Sequence, residues 1–215
     1  MTEAGSGPTL AREARLWARG YRHVAGLDEA GRGAWAGPVV AAAVILPAHD
    51  PDLARHLTGV RDSKLLTPAR REALLAVVSR HALALGVGAV PPATIDAVGI
   101  VPATRRAMAL ALRCLSPPAD YLLIDHLSLP GEGLPQEHMP KGDRHVLSIA
   151  AASIVAKVSR DRLMARLEAV YGGYGLAQHK GYGTAAHRAA LAAQGPCAAH
   201  RLSFAPLQRM LPLWG

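Results

Sequence analysis

The run "HVAGLDEAGRGAWAGPVVAAAVIL", residues 23–46, constrains the chain most, because it sets two apolar strand-like segments on either side of a glycine-rich break. "HVAGLDE" and "VVAAAVIL" read as strands, and Gly31–Pro38 supplies the turn between them. Neighbouring strands joined this way are expected to pair antiparallel. The remainder alternates helix and strand. "TPARREALLAVVSRH" opens a helix with Thr67 as N-cap and Pro68 at the first helical position. A strand follows at 84–90, a helix at 102–115, and a short buried strand, "YLLID", that ends at Asp125.

After Asp125 comes a long Pro- and Gly-rich loop, a kind of segment more often functional than idle inside a compact domain. "HVLSIAAASIVAKVSRDRLMARLEAVY" then reads as one long helix, and a glycine-punctuated remainder carries a further helix near 184–194. At the other end, residues 1–9 read as a loose terminus and "LAREARLWARGY" as a short helix packing Leu10 and Trp17 on the body. The order of elements implies an α/β fold, a mixed β-sheet flanked by helices with a helical C-terminal extension.

With 215 residues, half of them hydrophobic, the chain can bury one sizeable core. Twenty-four Lys and Arg against sixteen Asp and Glu leave a net charge of +8, a balance that attracts polyanions. Twenty of those cations are Arg in an Ala-rich chain, so background composition explains the same excess equally well. Cys114 and Cys197 have neither metal-ligand spacing nor the makings of a disulfide framework, and a reducing cytoplasm is expected. No secretory signal and no apolar run of membrane-spanning length stands in the sequence.

Four acids sit at breaks in the pattern: Asp28 and Glu29 ending the first strand, Asp125 ending a later one, and Asp143 after "PKG". Hard divalent cations such as magnesium or manganese take oxygen ligands, and clustered carboxylates are the usual protein contribution. Two such ions roughly 3.5–4 Å apart can activate water and stabilise the leaving oxygen of a phosphodiester. No Ser-His-Asp, Cys-His or phosphate-loop pattern competes. One structural demand follows, since adjacent strand residues point to opposite faces. Asp28 and Glu29 share a site only if the strand ends or bends there, and the Ala30-Gly31 step permits that.

"GLDEAGRGAWAGPVVAAAV", "RDSKLLTPARRE", "YLLID", "KGD", "SIAAASIVAKVSRDRLM" and "HKGYGTAAHRAAL…GPCAAHRLSFAP" occur in order over roughly residues 22–206. Together they resemble bacterial ribonuclease HII, a type 2 ribonuclease H, and imply a ribonuclease H-like sheet. The resemblance implies an endonuclease that cuts RNA/DNA hybrids, and duplex DNA at a single embedded ribonucleotide, on the 5′ side of the ribonucleotide. It implies a two-metal magnesium or manganese site held by Asp28, Glu29, Asp125 and Asp143. Gly31, Arg32 and Gly33 correspond to a loop that addresses the ribose 2′-hydroxyl through its backbone, the group that separates RNA from DNA. Tyr182 corresponds to a tyrosine beside the ribonucleotide. Ser63 and Lys64 correspond to residues near the backbone phosphates, against the plainer alternative of a solvated loop.

The domain expected on this basis spans 21–206, between an N-terminal segment, 1–20, and a C-terminal tail, 207–215. Lys157 stays outside the catalytic set, since a lysine there also suits snorkelling over apolar surface. Asp161 competes with Asp143 as fourth acid, but between Arg160 and Arg162 on a helix it is better explained by local ion pairing. His179, His187 and His200 are expected to hold loops by hydrogen bonds, and Trp35 and Tyr174 to serve core or rim. Gly99 stands where the family usually carries Asn. "QRMLPLWG" faintly resembles a sliding-clamp-binding peptide anchored by Gln208, Leu211 and Trp214; an apolar tail packed on the body is the plainer reading. A monomer is expected. Two rivals remain: the type 3 enzyme, which normally carries an extra N-terminal domain, and a nucleic-acid-binding module without catalysis, against which the four acids argue.

Overall fold

β1 (Val24–Ala30) and β2 (Val39–Ile45) pair antiparallel, as the first constraint requires, with Ala25 opposite Ile45 and Ala30 opposite Val40. The structure is a computed structural model, and it describes residues 7–48 and 50–210. In chain order the helices are α1 (Ala11–Ala18), α2 (Leu53–His56), α3 (Pro68–His81), α4 (Pro92–Val98), α5 (Ile100–Arg113), α6 (Leu147–Val170), α7 (Leu176–His179), α8 (Ala185–Gln194) and α9 (Ala205–Met210). With β3 (Ala84–Val90), β4 (Tyr121–Asp125) and β5 (Gln136–Met139) the sheet runs β3-β2-β1-β4-β5. β1, β2 and β3 form an antiparallel meander, and β4 and β5 run parallel to β1.

β2 has period-2 alternation with both faces buried, which is why it reads as an unbroken apolar run. Val39, Ala41, Ala43 and Ile45 pack with α5, whereas Ala42 and Val44 pack with α3 and α6. Helices thus cover both faces. The long α6 approaches β1 closely because its first turns carry Ala150, Ala151 and Ala152, and because β1 offers Gly26. A Cβ built on Gly26 would lie 2.2 Å from the carbonyl carbon of Ser148, so any side chain there would push the helix away.

Thr67 caps α3, its side chain accepting the Arg70 amide, with Pro68 at the first position as expected. Leu10, just before α1, and Trp17 pack partly, but the fully buried residues of α1 are Leu16 and Glu13, whose carboxylate accepts the Ser148 amide at 2.8 Å. Burial raises the Glu13 carboxyl. The loop after Asp125 corrects one expectation: it is not structureless, since β5 extends the sheet inside it. α4 also lies where the sequence pattern gave no helix, because Pro91 and Pro92 mask its start and positive-φ Gly99 separates it from α5. Leu211 and Trp214 lie outside the described residues. Gln208 is exposed on α9.

Candidate active site and its supporting loops

Register alone places the first two acids together. In the parallel β1–β4 pair the last partners are Leu27 and Ile124, and the next residue on each strand is Asp28 and Asp125. Side by side and on one face, they are about one strand spacing apart. Glu29 follows Asp28, and here the structure corrects the sequence argument. The β1–β2 ladder does not break at Glu29; it continues through Ala30 opposite Val40. What ends is the pairing to β4, so Glu29 projects beside an open strand end. Its carboxylate meets the Arg32 guanidinium at 3.1 Å, and its Oε2 is buried without a hydrogen-bond partner.

Asp143 reaches the same end of the sheet through the chain that follows β5. Lys141 takes a left-handed conformation, the Gly142 amide donates to Asp125 Oδ1 at 2.7 Å, and Asp143 is the next residue, buried. Asp62, outside the candidate acids, is equally buried, accepts the Lys64 amide, and lies close enough for its charge to raise Asp143. The signal for it was the aspartate opening "DSK", hidden because a lone loop carboxylate is usually solvated.

The electrostatics follow from this crowding. Burial, then the charges of Glu29 and Asp125, pushes the Asp28 carboxyl well above the usual range. Burial raises Glu29 as well, with Arg32 opposing it. Asp143 is raised to about 6 by burial and by Asp62 and Asp125. Burial by itself would lower Lys64, but Asp28, Asp62, Asp143 and Asp125 outweigh it and hold its ammonium above the ordinary value. Lys64 thus faces four carboxylates, of which Asp62 also meets Arg144 at 3.5 Å. This donor set fits hard divalent cations: several crowded oxygens, an orphaned carboxylate oxygen, and too little positive charge nearby.

Beside the acids, a cleft of about 260 Å³ is lined by Glu29, Ala30, Gly31-Arg32-Gly33, Ser63, Lys64, Lys157 and Tyr182. The sequence-derived substrate residues thus share one wall system. Ser63 does not fit the solvated-loop alternative, since it is buried with its hydroxyl 2.8 Å from Ser153 Oγ. Gly31 has φ +91° with the Arg160 side chain packed where its Cβ would be, whereas a Cβ on Gly33 would meet nothing. Glycine at 31 is required by the fold, and at 33 it leaves space.

Two buried arginines outside the candidate set hold these loops. Arg160 donates to the carbonyls of Pro38, Lys180 and Ala36, and Arg201 to those of Gly37 and Arg32, all at 2.9 Å. Neither guanidinium meets a carboxylate among the ion pairs of the described residues. Burial lowers Arg160, and burial with the neighbouring Arg160 charge lowers Arg201 to about 9. Flanked by Arg160, Asp161 instead pairs with Lys157 at 2.6 Å and Arg71 at 3.5 Å, and Arg162 pairs with Glu72. The expected local pairing exists, but with partners one turn and one helix away. A residue's sequence neighbours on a helix face elsewhere.

Tyr174 is buried and Trp35 partly so, in the cluster with Leu176, Leu191 and Met164. Asp50, His56 and His81, among the described residues, also have ligand atoms within 4.8 Å of one another. They lie past the opposite end of β2, and the two imidazoles stack at 4.4 Å and 22°, so their lone pairs run alongside each other instead of converging. Asp50 Oδ2 meets His56 Nδ1 at 3.1 Å, an ordinary surface contact.

The family model described as Ribonuclease HII matches residues 25–207. A ribonuclease HII of Roseiflexus castenholzii is 57% identical over 208 residues, covering 97% of this chain and 93% of its own. Among solved structures, the ribonuclease H2 of Pyrococcus horikoshii superimposes with a TM-score of 0.73 at 26% identity, covering 87% of this chain and 96% of the other. The ribonuclease HII of Archaeoglobus fulgidus, solved in complex with PCNA, gives 0.70 at 31% identity over 85% and 95% of the two chains.

Proposed function

The chain belongs to the ribonuclease HII family and is a ribonuclease H endonuclease, and from that premise we propose its substrate and mechanism. It cleaves RNA/DNA hybrids and duplex DNA containing single ribonucleotides, on the 5′ side of the ribonucleotide, and so removes ribonucleotides from DNA. One observation carries this reading: Glu29 lines the same cleft as Gly31-Arg32-Gly33 and Tyr182, and its neighbour Asp28 lies level with Asp125 at the end of β4.

Asp28, Glu29, Asp125 and Asp143 would hold magnesium or manganese. When bound, two such ions would supply an activated water and charge stabilisation at the leaving oxygen. The protein's own part is positioning. Arg201 fixes the Arg32 carbonyl inside the Gly31-Arg32-Gly33 turn, and Arg160 and Arg201 fix those of Ala36, Gly37 and Pro38 just after it, so the backbone presented to a sugar is set before substrate arrives. The open space at Gly33 lets the main chain approach a 2′-hydroxyl. Tyr182, 41% exposed, offers a ring face beside it. Lys64 stands at the acids, where a phosphate would bring further negative charge. The excess of basic residues favours phosphate contact, and binding should weaken steeply with salt.

We assign residues 21–206 to the catalytic domain, with 1–20 and 207–215 flanking it, acting as a monomer in the cytoplasm. No helix among the described residues is long and apolar enough to cross a membrane. A weak sliding-clamp contact through the C-terminal tail belongs to the same proposal, supported by the Archaeoglobus relative's complex with PCNA. The test is a labelled duplex carrying one ribonucleotide, incubated with and without magnesium. A single cut 5′ to the ribonucleotide, dependent on the metal, is expected. Binding without cleavage in magnesium or manganese would overturn the reading.

A further inference from the structure

Tyr182 sits on a backbone that would not hold itself. Lys180 and Gly181 have φ of 54° and 78°, the left-handed region, which a lysine adopts at a cost unless its surroundings fix it. Three consecutive carbonyls are fixed by three different parts of the fold. Arg160 donates to that of Lys180, the Trp35 and Ala36 amides to that of Gly181, and the His187 ring, with the Thr184 amide, to that of Tyr182.

The hydrogen positions on the rings follow from the partners. A carbonyl only accepts, so His187 Nδ1, 3.1 Å from the Tyr182 oxygen, carries the hydrogen. His187 Nε2 then accepts, and the nitrogen 3.1 Å away, His200 Nε2, donates. His200 Nδ1 accepts in turn, from the Cys197 amide at 3.0 Å, with Cys197 Sγ at 3.2 Å. The Cys197 carbonyl is also 3.3 Å from that nitrogen, but a hydrogen there in the neutral ring would leave two lone pairs opposed between the imidazoles. His179 forms a second branch: its Nε2 donates to the Tyr174 carbonyl at 2.7 Å, and its Nδ1 accepts the Gly181 amide at 3.2 Å. It stacks on His187 at 4.4 Å. His187 and His200 are fully buried, and burial keeps both rings neutral.

We propose that this one-way chain, Cys197 to His200 to His187 to the Tyr182 carbonyl, positions the tyrosine ring in the cleft, so that His187 and His200 are positioning residues for ribonucleotide recognition. The inference rests on Tyr182 contacting the substrate. Its alternative is a buried polar group satisfied for stability only.

A double-mutant cycle separates these, read as kcat/KM on the single-ribonucleotide duplex. His187→Phe keeps a ring of similar size and loses the hydrogen bonds, and should lower kcat/KM about tenfold or more. In a Tyr182→Ala background it should cost nothing further. His187→Asn, which keeps a donor at the Nδ1 position, should restore most of the loss. Equal losses in both backgrounds overturn the proposal while the recognition reading stands. An enzyme insensitive to Tyr182→Ala overturns both. Should His187→Phe fail to fold, nitrogen NMR of the unmodified protein still decides: hydrogen on Nδ1 of His187 and on Nε2 of His200 is expected, and the opposite tautomer in either overturns the chain.

Discussion

The carboxylate end of β1 and the glycine turn that follows it are adjacent in sequence and stabilised in opposite ways. At Asp28, Glu29 and Asp143 burial and like charge both resist ionisation, and a buried Glu29 oxygen has no partner. Around the turn and the Tyr182 loop, two buried cations donate to five backbone carbonyls, with Arg201 Nη2 left without a partner, and the Tyr182 loop is tied in by histidines. The first region is incomplete without added positive charge. The second is assembled in advance. Chemistry that depends on a cation and recognition that depends on shape are thereby kept on separate supports, although they share a cleft.

The contrast can be broken at its acidic side first. Asp28→Asn or Asp143→Asn should slow single-turnover cleavage on the order of a thousandfold or more while duplex binding persists. Asp161→Asn should keep most activity and lose about 1 kcal/mol of stability through Lys157 and Arg71. If Asp161→Asn abolishes cleavage and Asp143→Asn does not, the assignment of the fourth acid is reversed.

On the other side, Arg201→Met should cost about 3 kcal/mol in denaturant unfolding, because its bonds to Gly37 and Arg32 are charge-assisted and buried. A variant as stable as the parent would mean that the turn supports itself. Magnesium at a hundredfold excess over its dissociation constant should stabilise the parent by about 2.7 kcal/mol in a thermal melt. Asp28→Asn should lose most of that shift, and Arg201→Met should retain it. A shift lost equally in both would dissolve the distinction between the two supports.

The smallest effect is in pH. Burial holds His187 down to about 4, below the value of about 6.5 expected in the unfolded chain. Between those values the unfolded chain binds more protons, so the stability from neutral His187 is complete above the upper value and is lost as pH falls toward the lower. Asp143, raised to about 6, works in the opposite sense, so the informative quantity is a difference. The stability gap between the parent and His187→Asn should narrow by about 1 kcal/mol between pH 7 and pH 5.5. A gap independent of pH would assign the ring to packing.

Much of the fold was legible because its signals are local. Thr67-Pro68 starts α3, the unbroken apolar run of residues 39–45 marks a strand buried on two faces, and Asp28 and Asp125 mark the same end of two neighbouring strands. β5 was not legible, since "QEHM" has no alternation to report and becomes a strand only by pairing with β4. α4 was hidden behind paired prolines.

The site divides along the same line. Residue type and spacing were enough to nominate Asp28, Glu29, Asp125, Asp143, Gly31-Arg32-Gly33 and Tyr182, because scarce chemistry stands out in a chain. Spacing could not reveal Asp62, Arg160 or Arg201, whose roles come from what they face across the fold. Nor could it say how Glu29 joins Asp28: not by a broken strand, but because the neighbouring β4 stops first. The sequence by itself determined which side chains could carry metal and meet a sugar, since that is a property of single residues and their order. Only the tertiary structure decided how charge is distributed among them, because burial and proximity, not identity, set which carboxylates are strained and which cations are spoken for.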